Sequence, residues 1–249
     1  MIELNKIYNE DCLEGMKRIP DKSVDMILAD LPYGTTRNKW DSIIPLDLLW
    51  EQYDRIIKDN GAIVLTAQTP FDKVLGCSNL KLLRYEWIWE KTTSTGFLNA
   101  KKMPMKAHEN ILVFYKKLPK YNPQKTTGHI RKVSSAEHKI GSKATSNYGE
   151  HGLTGYDSTE RYPRSIQVFP TDKQKTAVHP TQKPVALFEY LVKTYTDEGE
   201  TVHDNVMGLG TTAIACINTN RNYIGFEMDT NYFNLANERI EQHLNPIQK

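Results

Sequence analysis

Read for the period of its apolar positions, the chain divides into two regular stretches with an irregular one between them. Residues 2–10 alternate apolar and polar side chains, the period of a half-buried strand, and the strand ends at Asp11. Residues 12–19 follow as a short helix stopped by Pro20, and residues 24–29 are a short apolar run that reads as a buried strand. This is a βαβ unit with an acid, Asp11 or Asp30, at the end of each strand. Pro45 opens a helix over about 46–58, with Leu48, Leu49, Tyr53, Ile56 and Ile57 at helical spacing. The nearly all-apolar residues 62–67 suit the middle of a parallel sheet. Thr69 and Pro70 start another helix, to about residue 80. Residues 85–90 and 111–115 are aromatic and β-branched, hence strands. Residues 92–109 between them read as a long loop, functional or simply a surface excursion.

From 116 to 183 the apolar period nearly vanishes, and Gly, Ser, Thr, Tyr and Lys dominate. Regular structure resumes at Pro184. Residues 185–192 have the apolar density of a helix packed on a sheet, and residues 201–206 read as a strand. A glycine-rich turn leads into a helix at 213–219, a strand at 222–227 and a last helix at 231–243. The whole is an α/β pattern of seven strands with one irregular interruption.

Charge changes this picture more than composition does. The 249 residues carry 32 basic and 30 acidic side chains, so net charge says little about partners. The irregular stretch 116–183, however, holds 13 basic against 5 acidic residues. That excess of +8 leaves −6 for the rest of the chain, whose total is +2. Tyr121, Tyr148, Tyr156 and Tyr162 are interspersed with these charges. A basic, aromatic-sprinkled segment within an acidic body is the electrostatic footprint of nucleic-acid contact; a solvated loop is the plainer alternative. Cys12, Cys77 and Cys216 have no paired spacing, which argues against disulfides and zinc and fits a reducing compartment. No leader or long apolar run suggests secretion or a membrane span, so a cytoplasmic protein is expected.

Two stretches carry chemistry. Asp30-Leu31-Pro32-Tyr33 lies at the carboxyl end of a buried strand, where open α/β sheets bind ligands. A carboxylate, a carbonyl and a proline without N–H make an acceptor-only pocket beside an aromatic ring. Such a pocket suits a planar exocyclic amine; a strand ending in an Asp-Pro turn is the bland alternative. Gly208-Leu209-Gly210 lies between a strand and a helix, and Glu227 ends the next strand, where it can accept from ribose hydroxyls. The third glycine of the dinucleotide fingerprint is missing, and Thr211-Thr212 follows instead.

In this order, these stretches resemble the amino-methylating DNA methyltransferases, the adenine-N6 and cytosine-N4 family, in the permuted arrangement called the β class. Asp30-Leu31-Pro32-Tyr33 matches the family's catalytic Asp-Pro-Pro-Tyr. His179-Pro180-Thr181-Gln182-Lys183-Pro184 matches the run before its cofactor strand. Asp204-Asn205-Val206-Met207-Gly208-Leu209-Gly210-Thr211-Thr212 matches its Asp-Pro-Phe-x-Gly-x-Gly-Thr-Thr loop. The resemblance implies a Rossmann-like, mixed seven-stranded sheet with helices on both faces, circularly permuted. Residues 1–116 would be its catalytic half, 117–178 an irregular target-recognition insert and 179–249 its cofactor half.

The resemblance also implies roles. Gly208 and Gly210, with Asp204, Thr211 and Thr212, would hold the methionine part of S-adenosyl-L-methionine. Lys183 would meet its carboxylate, Glu227 its ribose and Asp11 its adenine amine. Lys125, Arg131, Lys132, Lys139, Lys143, Arg161 and Arg164 in the insert would contact duplex DNA. A homodimer, a cognate restriction endonuclease, and a bacterial or phage origin stay open; no metal is implied. Two positions depart from the pattern. Leu31 replaces a proline, and Val206 replaces a phenylalanine that packs on the methionine portion, which bears on cofactor affinity.

The implied mechanism flips the target base out of the stack, at a cost of roughly a few kcal/mol. Tyr33 stacks on it, while the Asp30 carboxylate and the Leu31 carbonyl accept its two amine hydrogens. The nitrogen lone pair then attacks the sulfonium methyl group in line, so catalysis is positioning and electrostatics. An acid at position 30 favours adenine N6 over cytosine N4 within the family. RNA, a protein glutamine, an inactive DNA-binding homologue and a nicotinamide oxidoreductase are the competing expectations.

Overall fold

A computed structural model describes residues 2–34, 41–135, 155–171 and 182–245. The chain forms two compact units, one made of Met1–Asn122 with Ser165–Lys249 and the other of Pro123–Arg164. In chain order the strands are β1 (Lys6–Tyr8), β2 (Val24–Ala29), β3 (Ile57–Ala67), β4 (Leu83–Thr95), β5 (Lys106–Phe114), β6 (Lys132–Ser134), β7 (Tyr156–Ser158), β8 (Ile166–Phe169), β9 (Thr201–Asp204) and β10 (Asn222–Phe226). The helices are α1 (Cys12–Met16), α2 (Leu46–Ile56), α3 (Phe71–Ser78), α4 (Val185–Tyr195), α5 (Thr211–Asn218) and α6 (Thr230–Leu244). Among the described residues no helix is long and apolar enough to cross a membrane.

The larger unit is organised on one sheet of order β1-β10-β9-β2-β3-β5-β4-β8. All seven strands read from the sequence are in it. Its eighth, β8, pairs parallel with β4 at the sheet edge. β8 lies in the stretch expected to be irregular, because four alternating residues are too few to stand out from the polar sequence around them. β8 belongs to the larger compact unit, and the smaller one, Pro123–Arg164, lies within the span 117–178. Only β5 runs against its neighbours, which makes the sheet mixed.

Side chains of a strand point alternately to its two faces, and the central strands use both. Met26, Leu28, Ala62 and Val64 join one buried cluster, with residues of α4, α5 and α6. Ile27, Ala29, Ile63 and Leu65 join the other, with residues of α1, α2 and α3. Burial on both faces is why these runs read as continuously apolar.

The loop expected over 92–109 is strand at its two ends, 92–95 and 106–109, and remains non-strand across 96–105. β4 continues to Thr95 and β5 begins at Lys106, with Trp89 opposite Glu109 and Glu90 opposite His108. Thr92, Thr93 and Thr95 are β-branched and fit an extended hairpin arm, so only the tip is irregular. β1 is shorter than the alternation suggests, and α1 ends at Met16.

Gly15 of α1 lies against the buried Phe226 ring of β10. A Cβ there would sit 2.3 Å from Phe226 Cε1. Gly15→Ala is therefore expected to overpack this contact and cost about 1–3 kcal/mol, read as a lower urea midpoint at unchanged slope.

Candidate active site

β2 and β9 lie side by side and parallel, with Met26 opposite Val202 and Ile27 opposite His203. From this line the sheet extends through β3 on one side and through β10 and β1 on the other. It is the point where strand order reverses, and ligands of open α/β sheets bind beyond the carboxyl ends of the strands there. Four carboxylates occupy that position. Asp30 follows β2, Asp204 ends β9, Glu227 follows β10, and Asp11 follows β1.

Asp30 is held on both oxygens. Oδ1 accepts from the Tyr33 hydroxyl at 2.8 Å and from the hydroxyl of Thr66 at the end of β3. Oδ2 accepts from Lys183 Nζ at 2.7 Å. The Asp30 side chain stays 30% exposed, whereas that of Lys183 is only 6% exposed. Tyr33 stacks on Phe71 of α3, with centroids 5.4 Å apart and planes at 26°. Burial, with the Asp30 charge adding to it, holds the Tyr33 hydroxyl well above its ordinary value, so it remains a donor. Leu31 is buried among the α1–α3 residues. Its side chain thus anchors the loop that a proline ring would otherwise stiffen.

Lys183 precedes α4 and reaches Glu109 Oε2 of β5 at 3.1 Å as well as Asp30. Glu109 Oε1 meets Lys91 of β4 at 2.5 Å, and both side chains are buried. Asp30, Lys183, Glu109 and Lys91 therefore form a row of alternating charge across four chain segments. Burial works against the Lys183 ammonium, but the Asp30 and Glu109 charges outweigh it and raise its pKa well above the usual lysine value. Burial would push the Glu109 carboxyl up, yet Lys183 and Lys91 hold it below its usual range.

The glycine turn after β9 has Gly208 at φ +55° and Gly210 at φ +77°, conformations that side chains rarely adopt. Gly210 also faces the α6 Ala236 Cβ, 3.4 Å from where its own Cβ would be. The Gly208 N–H donates to Glu227 Oε2 at 2.8 Å, and the Asp229 N–H donates to Oε1 at 2.8 Å. Asp204 is buried and accepts from the Val206 N–H and the Thr212 hydroxyl. Burial pushes its pKa up to about 7. Thr211 lies within 3.5 Å of the Lys183 carbonyl, and Val206 packs against the α1–α3 side of the core. Asp11 caps α1, its Oδ1 accepting from the Leu13 and Glu14 N–H groups at 2.8 and 3.2 Å. Carboxylates that accept hydrogen bonds from hydroxyls and amines beside a glycine turn suit a ligand with a ribose and an adenine; this acceptor set fits the expected cofactor.

The basic residues expected to meet DNA are less uniform than their count suggests. In the smaller unit Lys125 pairs with Glu160 at 3.0 Å, and Arg131 with Asp157 at 2.5 Å. Arg161 donates to the Ser158, Glu160 and Ile130 carbonyls and so braces the loop that it belongs to. Lys132 on β6 is exposed. Arg164 is also exposed, just before β8. Lys139 and Lys143 lie outside the described residues, as do His179, Pro180 and Thr181.

Sequence reading missed Thr66, Phe71, Lys91 and Glu109. Thr66 is the one polar residue in the apolar run 62–67, which is a signal. Glu109 and Lys91 face each other only because residues 92–109 fold back as a hairpin, and nothing local announces that.

Asp204 gives a test of burial at this site. Its folded pKa, about 7, lies above the unfolded value near 3.9. Its contribution to stability is full below about pH 4 and is lost as pH rises through 7. Asp204→Asn should therefore gain stability relative to wild type between pH 4 and 8, by on the order of 4 kcal/mol. Urea unfolding of both proteins across that range reads the difference, which isolates Asp204 from the opposing titration of buried His203.

The sequence profile of the N6/N4 DNA methylases matches residues 24–238. Type II methyltransferase M1.MboII of Moraxella bovis is 28% identical over 97% of this chain and 98% of its own. DNA adenine methyltransferase YhdJ of Escherichia coli K12 is 28% identical over 96% of this chain and 83% of its own. Among solved structures, the M1.HpyAVI–SAM complex aligns with a TM-score of 0.65 at 23% identity, covering 94% of this chain and 98% of that one. The cytosine-N4-specific PvuII DNA methyltransferase aligns at 0.68 and 14% identity, covering 96% and 91%. These two matches carry the fold, a Rossmann-like methyltransferase sheet. With its acceptor tetrad after β2 and its glycine turn after β9, the chain belongs to the N6/N4 family of DNA methylases.

Proposed function

We propose that the protein methylates the exocyclic N6 of an adenine flipped out of duplex DNA, with S-adenosyl-L-methionine as donor. The observation that carries this reading is the Asp30 carboxylate, fixed at the strand-order reversal and still open to solvent on one side. Oδ1 already takes two donors, while Oδ2 takes one and keeps acceptor capacity. Asp30 Oδ2 and the Leu31 carbonyl are the acceptors for two amine hydrogens, and Pro32 offers no competing N–H. Accepting both hydrogens draws the nitrogen toward sp³ and localises its lone pair. Tyr33 supplies the aromatic face for the base, and Phe71 supports its ring from behind.

When bound, S-adenosyl-L-methionine supplies an electrophilic methyl group on a positively charged sulfur. Gly208, Gly210, Val206, Asp204, Thr211 and Thr212 would line its methionine part, Glu227 would take its ribose hydroxyls and Asp11 its adenine amine. Lys183 is already committed to Asp30 and Glu109, so its first task in this reading is to hold the acid. The exposed basic residues of Pro123–Arg164 would follow the DNA backbone, where cations set register and salt dependence. Relatives named type II methyltransferases support a place in restriction–modification.

An acid at position 30 and the adenine methyltransferase among the relatives favour adenine; the cytosine-N4 neighbour makes the other base the alternative. Labelled methyl transfer to unmethylated duplex DNA, followed by nucleoside mass spectrometry, should yield N6-methyladenine. N4-methylcytosine alone would overturn the choice of base. Asp30→Ala should lower the rate by at least about 100-fold. Its cofactor affinity by calorimetry should stay within about two-fold, because Asp30 serves the base and not the cofactor in this reading. A variant that methylates at near wild-type rate sinks it.

A further inference from the structure

The row Asp30–Lys183–Glu109–Lys91 holds two carboxylates and two ammonium groups, and three of the four side chains are almost fully buried. A row of this kind is a poor way to stabilise a fold. Apolar side chains of similar volume do as well or better, and burying ions carries a desolvation cost. Its placement is what marks it. One end is the acid of the proposed base pocket after β2, and the other lies on β4, three strands along the sheet.

The free acceptor capacity of Asp30 is on Oδ2, beside Lys183. In the proposed reaction the amine lone pair forms the new N–C bond, and the old C–S electron pair stays on sulfur. Positive charge thereby moves to the nitrogen, until one of its protons leaves to water. An unbalanced ammonium next to that nitrogen would oppose the transfer. Glu109 stands 3.1 Å from the same ammonium and cancels it, while Lys91 fixes the carboxylate in place from behind.

We infer that Glu109 is a positioning and charge-balancing residue for the transfer: it offsets Lys183 so that the Asp30 pocket can stabilise the charge developing on the target nitrogen. It acts through Lys183 and through Tyr33, whose hydroxyl lies 3.5 Å from Glu109 Oε2. Lys91 completes the device by holding Glu109. This rests on the reaction proposed above.

The test compares wild type, Glu109→Gln and the double variant Lys91→Gln/Glu109→Gln. Glu109→Gln leaves Asp30 facing two cations, and the double variant restores neutrality with Asp30 and Lys183 alone. Rates are taken per mole of cofactor-binding sites by calorimetry, so that unfolded protein is not counted. Glu109→Gln should lower kcat at least about 10-fold, with DNA KM and cofactor affinity within about two-fold. The double variant should regain at least about 5-fold of that loss, the non-additivity expected of a coupled pair. Should the single variant not fold, the double variant is compared with Lys91→Gln under the same readouts, and equal kcat overturns the inference. Unchanged kcat in Glu109→Gln overturns it too, as does a loss that falls wholly on KM or cofactor affinity. Wild type that transfers no methyl group to DNA overturns the proposed reaction itself, a result visible before any variant is made.

Discussion

The parallel pairing of β2 with β9 is the constraint on which the site depends. The Thr201 N–H donates to the Asp25 carboxylate across 176 positions of sequence, and Met26 then meets Val202 in the ladder. That pairing brings the strand ending at the acceptor tetrad next to the strand ending at the glycine turn. Neither half makes a site alone. The first supplies an acid and an aromatic ring; the second supplies a backbone turn and a carboxylate. Side-by-side strand ends also hold Asp30, Asp204 and Glu227 close enough that the first and last help raise the Asp204 pKa beyond what burial and its own hydrogen bonds set.

The electrostatics of the site follow from this crowding. Nature of the partner decides each carboxylate's state. Asp204 has hydrogen-bond donors but no cation paired with it among the described residues, and it moves toward the neutral form. Glu109 has two cations and stays charged although it is just as buried. The two acids lie in one small region yet are driven in opposite directions, a pattern found where proteins sort carboxylates into separate tasks.

Most of the fold was legible because the central strands are buried on both faces and therefore read as apolar runs at 24–29 and 62–67. The tetrad and the glycine turn were legible because their residue types are unusual at strand ends. What escaped notice depends on tertiary pairing. β8 carries only partial burial, so its pattern is faint. Glu109 looked like part of a loop, and the hairpin that buries it forms through cross-strand partners that no local window contains. Lys183 was read from its motif alone. In the fold it faces Asp30 and Glu109, contacts set by segments far away in sequence. The basic insert was legible as a charge excess, but not the use of Arg161 as a brace for its own loop.

The order of the strands also has a consequence for synthesis. β2 buries both faces and is translated long before its partner β9, which begins only at Thr201. At roughly 5–20 residues per second the ribosome needs on the order of ten seconds or more to deliver that partner. Until then β2 offers β3 one edge and leaves the other unpaired, flanked by apolar side chains that have no helix of the second half to cover them. The nascent chain thus carries an adhesive sheet edge for as long as the residues between β2 and β9 take to be made. The same strand order that creates the binding crevice makes this the stage at which the protein is most open to chaperones and to aggregation.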